Sequence, residues 1–104
     1  MDMKVSGNAD STLVEIDQLR LDAAVASQLK DELLKVVGTG VRGLVLDLGK
    51  VKMIDSSGLG ALVSVLKAMN GKGTITIRGA SQSVQGLFKL TRMDRVFTLE
   101  AVPA

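Results

Sequence analysis

Residues 43 to 48, GLVLDL, are nearly continuously apolar. Such a run suits a central strand covered on both faces, and it constrains the segments around it. Before it, TLVEID (12 to 17) alternates apolar and polar residues, with Leu13, Val14 and Ile16 prominent, and reads as a strand. LDAAVASQLKDELLKVV follows, with Val25, Leu29, Leu33 and Val36 at helical spacing. Asp22 is the candidate N-cap of that helix, and Gly38-Thr39-Gly40 ends it. After the central run come Met53 and Ile54, then a helix to about Met69, stopped by NGKG. TITIRG (74 to 79) is a strand, SQSVQGLFKL a short helix with Val84, Leu87 and Phe88 on one face, and RVFTLE (95 to 100) a last strand. Residues 3 to 6 add a short edge strand. The alternation predicts one α/β domain over residues 1 to 104: a mixed, mainly parallel sheet of four to five strands flanked by helices.

Composition removes several functions. The chain has no histidine and no cysteine, which excludes a Ser-His-Asp triad, a cysteine nucleophile and a His/Cys metal site. Phe88 and Phe97 are the only aromatic residues, so the core must be aliphatic and a base-stacking platform is disfavoured. The net charge of +2 comes without a dense basic block, which also argues against nucleic acid as a partner. The start of the chain lacks a signal-like apolar region, and no stretch is long enough to span a bilayer. The expectation is a cytoplasmic protein, monomeric when free, with no membrane association, cofactor or metal.

The segment MIDSSGLGAL, residues 53 to 62, sets two serines at a strand-to-helix junction. A dinucleotide-binding loop would need glycine where Val63 stands. A hydrolase elbow would need G-x-S-x-G and a histidine, and neither exists here. A receiver domain fits poorly: Asp47 ends a strand, but Glu15 and Asp17 lie inside one. Helix capping by Asp55 or Ser56 stays open on the residues alone, though a cap needs only one such side chain.

The segment VLDLGKVKMIDSSGLGALVSVLKAM resembles the centre of STAS domains, in particular the bacterial anti-sigma factor antagonists. Their hallmark is D-[ST]-[ST]-G-[LV]-G after an apolar strand. LRLDAAVASQLKDELL and GKGTITIRGASQSVQGLFKLTRMDRVF are similar to flanking family segments, so nearly the whole chain is covered. The resemblance implies a partner switch in transcription regulation, not an enzyme. Unmodified, such a protein binds an anti-sigma factor with serine kinase activity and frees the sigma factor. The kinase phosphorylates the first hydroxyl after the motif aspartate, here Ser56, and a PP2C-type phosphatase reverses this. Alternatives within the family are a stressosome-like scaffold, the soluble partner of a lipid-transport ATPase, and a small-ligand binder. Two departures stand out: Leu19 replaces a usual glycine three residues before Asp22, and Thr91-Arg92-Met93 replaces S/T-G-L before the last strand.

The expected partner surface is Asp55, Ser56, Ser57, Gly58 and Leu59 with Ala61, Ser64, Val65 and Ala68 from the following helix, and Asp22 beside them. Leu59, Leu62, Leu66 and Met69 are expected to face the sheet, leaving a small, weakly polar stripe that either meets a partner or is covered by another helix of the domain. Ser57 is expected to cap the helix, Asp55 to cap it or orient the Ser56 hydroxyl, and Gly58 to leave room for a kinase loop. The free N–H groups at the helix start are expected to tolerate phosphate.

Overall fold

The computed structural model describes residues 1–100. Its elements in chain order are β1 (Asp2–Asn8), β2 (Ser11–Asp17), β3 (Arg20–Leu21), α1 (Ala26–Val37), β4 (Gly43–Asp47), β5 (Met53–Ile54), α2 (Ser56–Ala68), β6 (Thr74–Arg78), α3 (Gln82–Leu90), a 3-10 turn (Met93–Arg95) and β7 (Thr98–Leu99). The main sheet has the order β1-β2-β4-β6-β7. The β1–β2 pair is antiparallel; β2–β4, β4–β6 and β6–β7 are parallel. This is the mixed, mainly parallel sheet that the alternation of elements predicts. Among the described residues, no helix is long and apolar enough to cross a membrane.

Period-two alternation decides the core. Val14 and Ile16 of β2, Leu44 and Leu46 of β4, and Ile75 and Ile77 of β6 point to one face and are buried. Leu29 and Leu33 of α1, Leu59, Leu62 and Val65 of α2, and Val84 and Phe88 of α3 join the same cluster. Phe88 meets Phe97 edge-on, with ring centroids 5.4 Å apart at 78°, a geometry that contributes about 1 kcal/mol beyond buried area.

The structure corrects three expectations. The GLVLDL run is not covered on both faces: Leu44, Leu46 and Leu48 are buried, whereas Val45 and Asp47 are half-buried. Its opposite face continues through Leu13, Thr76 and Thr98 in register and stays half-buried to exposed. Asp22 does not cap α1. That helix starts at Ala26 with Val25 in the capping position and no side-chain cap. Asp22 instead closes the turn before it: its Oδ1 accepts from the Ala24 N–H at 3.1 Å and its carbonyl from the Val25 N–H at 3.1 Å. The last strand is only Thr98–Leu99, because residues 93 to 95 wind into a turn in which the Phe97 N–H donates to the Met93 carbonyl at 2.9 Å. The short strand β5 lies outside the main sheet and pairs in parallel with β3, Arg20 opposite Met53 and Leu21 opposite Ile54.

Candidate functional site

The serine pair is mounted on the small β3–β5 sheet. Leu21 and Ile54 are buried and anchor both strands to the core. The parallel register then brings Asp22 and Asp55, each the next residue in its chain, to the same end. The Asp55 N–H donates to the Leu21 carbonyl at 3.2 Å, extending the pairing to the threshold of α2.

Asp55 is the N-cap of α2, with extended backbone at φ −106° and ψ −175°. Its Oδ1 accepts from the Ser57 N–H at 2.9 Å and the Gly58 N–H at 3.0 Å. The cap is therefore Asp55 and not Ser57, whose hydroxyl is exposed. A consequence follows for anions: the Ser57 and Gly58 amides already hold a carboxylate, which leaves the Ser56 N–H as the first-turn donor without an acceptor among the described residues. Ser56, the first residue of α2, is exposed.

Gly58 serves a purpose different from loop clearance. It is buried, and a Cβ there would run into the Leu21 carbonyl and lie 2.8 Å from the Leu21 carbonyl carbon. The glycine lets the first turn of α2 press against β3.

The partner surface expected from α2 is narrower than drawn. Leu59, Ala61 and Val65 are buried, at 7%, 5% and 0% exposure. The reason is that α2 packs against α1 as well as against the sheet side, so its apolar arc must cover two neighbours. With Gly58 they leave the surface set. Ser56, Ser57, Ser64 and Ala68 stay exposed, and Asp22 and Asp55 are half-buried at the rim. Gly60, not anticipated, is also exposed, with open space where a Cβ would stand. The Ser64 hydroxyl donates back to the Gly60 carbonyl at 3.1 Å, which leaves a low, smooth helix face. A cavity of about 520 Å³ lies elsewhere, lined by residues such as Lys4, Glu15, Asp47 and Lys50, and includes neither serine.

The family model described as "Mlab, STAS domain" matches residues 3–101. The chain belongs to the STAS domain family. It is 33% identical over 72 residues to the anti-sigma-B factor antagonist of Staphylococcus aureus (strain NCTC 8325), a match covering 68% of this chain and 67% of that protein. The crystal structure of an anti-sigma factor antagonist from Mycobacterium paratuberculosis has a TM-score of 0.83 at 21% identity, over 99% of this chain and 86% of that one. The Bacillus cell fate determinant SpoIIAA in its phosphorylated form has a TM-score of 0.70 at 12% identity, over 96% and 92%. The last two are likenesses of fold. The STAS domain, anti-sigma factor antagonist family implied by the D-S-S-G-L-G motif is thus the family of this chain.

Two features of this STAS domain were not part of the expected site. Leu19 and Met53 are large, apolar and exposed beside the serine pair. In the sequence, only the departure from the family glycine marks Leu19; nothing marks Met53, which reads as an ordinary strand residue.

Proposed function

We propose that this STAS domain is a phosphorylation-controlled partner switch with Ser56 as the acceptor. Unmodified, it binds an anti-sigma factor that is also a serine kinase, and the sigma factor is released. The kinase phosphorylates Ser56, the complex separates, and a PP2C-type phosphatase returns the hydroxyl. One observation carries the reading: Ser56 is the exposed first residue of α2, held behind a rigid Asp55 cap within the family's D-S-S-G-L-G motif.

The site chemistry supports a switch at the interface and not one of fold. Phosphate adds about −1.5 to −2 charge. The Ser57 and Gly58 amides are engaged by Asp55, so the new charge finds only the Ser56 N–H free in the first turn and stands beside an existing carboxylate. The phosphate then stays in water unless a partner buries it, and burial without matched donors is costly. A penalty of about 3 kcal/mol weakens binding by about two orders of magnitude.

The test is phosphosite mapping of the protein from its native cells, beside the Ser56→Ala variant. The expected result is one species heavier by a single phosphoryl group, modified on Ser56 and absent in the variant. The Ser56→Ala form should retain a kinase-type anti-sigma factor on affinity capture, and Ser56→Glu should not. No phosphate on Ser56 under several growth conditions, together with stable copurification with a permease complex, would instead identify a constitutive STAS subunit.

A further inference from the structure

Among the described residues, five large apolar side chains are exposed: Val5, Leu19, Met53, Leu90 and Val96. Single exposed apolar residues are ordinary, but the backbones of Leu19 and Met53 are hydrogen-bonded to each other. The Leu19 carbonyl accepts from the Lys52 N–H at 2.8 Å and from the Met53 N–H at 3.3 Å. Leu19 is 62% and Met53 37% exposed. Arg20 is the register partner of Met53, and since Leu21 and Ile54 point inward, Arg20 and Met53 point outward on one face. Lys52 and Arg20 are exposed, and neither belongs to an ion pair among the described residues, where the pairs are Arg42–Asp10, Lys50–Asp17 and Arg78–Glu100.

The result is a cluster of four exposed residues joined through their backbones, two apolar and two cationic, the cations without an ion-pair partner among the described residues. It abuts the serine pair, because the same two strands run on into Asp22 and Asp55. The surface is electrically graded: cations before the strand ends, carboxylates after them, and the Ser56 hydroxyl beyond. We infer that Leu19, Met53, Arg20 and Lys52 form a specificity-determining extension of the Ser56 site, which receives an acidic segment of the kinase partner carrying at least one apolar side chain. The inference rests on the reading of Ser56 as acceptor. Charge complementarity selects the occupant: a basic partner segment would meet Arg20 and Lys52 unfavourably, and an acidic one gains steering and register from them. The grading also fixes orientation, since a reversed segment would set its carboxylates against Asp22 and Asp55.

The experiment uses the full chain and the purified kinase-type anti-sigma factor of the same organism, reading Ser56 phosphorylation at low and moderate salt. The variants are Leu19→Ser with Met53→Ser, and Arg20→Glu with Lys52→Glu; all four positions are exposed, and circular dichroism checks that each variant is folded. Each double variant is expected to raise KM about ten-fold with kcat within about two-fold. The charge-reversed variant should also lose the salt dependence shown by the wild type. Wild-type phosphorylation with unchanged KM and salt dependence in both variants overturns this inference and leaves the acceptor reading standing. No phosphorylation of the wild type overturns both.

Discussion

At the scale of the residue, Asp55 and Gly58 hold the site by different physics. Asp55 satisfies two amides at the start of α2, and its replacement by alanine should cost about 1 kcal/mol. Asp55→Asn keeps the acceptor oxygen and should lose only a few tenths, yet it removes the charge beside Ser56. Urea unfolding of the two variants separates the structural from the electrostatic part. Gly58→Ala should cost about 2 kcal/mol or more, because the new methyl collides with the Leu21 carbonyl of β3. Gly60→Ala and Gly86→Ala meet nothing within 4 Å and lie inside α2 and α3. Each should stabilise by about 0.5–1 kcal/mol, read as a higher thermal midpoint. Capping at Asp55 was legible because an aspartate before a helical run is a local signal. The role of Gly58 was not, because the atom it makes room for belongs to a strand 37 positions earlier in the chain.

At the scale of the element, α2 shows where periodicity stops informing. An apolar arc read from a helical wheel tells which side is buried, not how many neighbours bury it. Leu59, Leu62 and Met69 face inward as their spacing predicts. Ala61 and Val65 are buried too, in a helix that packs against α1 as well as the sheet side. Val65→Ala should therefore cost about 2 kcal/mol, whereas Ser64→Ala, one position away and exposed, should change stability by no more than about 0.5 kcal/mol. Chemical denaturation of both variants checks the boundary between core and partner face. The strands tell a parallel story. β2, β4 and β6 announce themselves by alternation, but β3 and β5 are two residues each. No local pattern can mark so short a pair; only their mutual register makes them strands.

At the scale of the molecule, the order of elements already contained the α/β architecture, and the comparison with STAS relatives agrees with it. What order could not convey is that the sheet is covered deeply on one face only. Leu13, Val45 and Thr76 sit side by side in register on the other, half-buried, so an apolar run such as GLVLDL need not mean two covering layers. The mounting of Ser56 has a kinetic consequence. The Asp55 amide is hydrogen-bonded to β3, β3 and β5 are pinned by Leu21 and Ile54, and Gly58 brings the helix down onto that strand. The proposed acceptor, held in this way, is not a flexible tail that an enzyme can draw into a groove. Amide hydrogen exchange at Asp55 should be as slow as in the core strands, although its neighbour Ser56 faces solvent. A synthetic peptide spanning residues 50 to 64 would carry the whole motif without the mount. It should be a far poorer kinase substrate than the folded domain, which would make the phosphorylation state a readout of native structure as well as of signal.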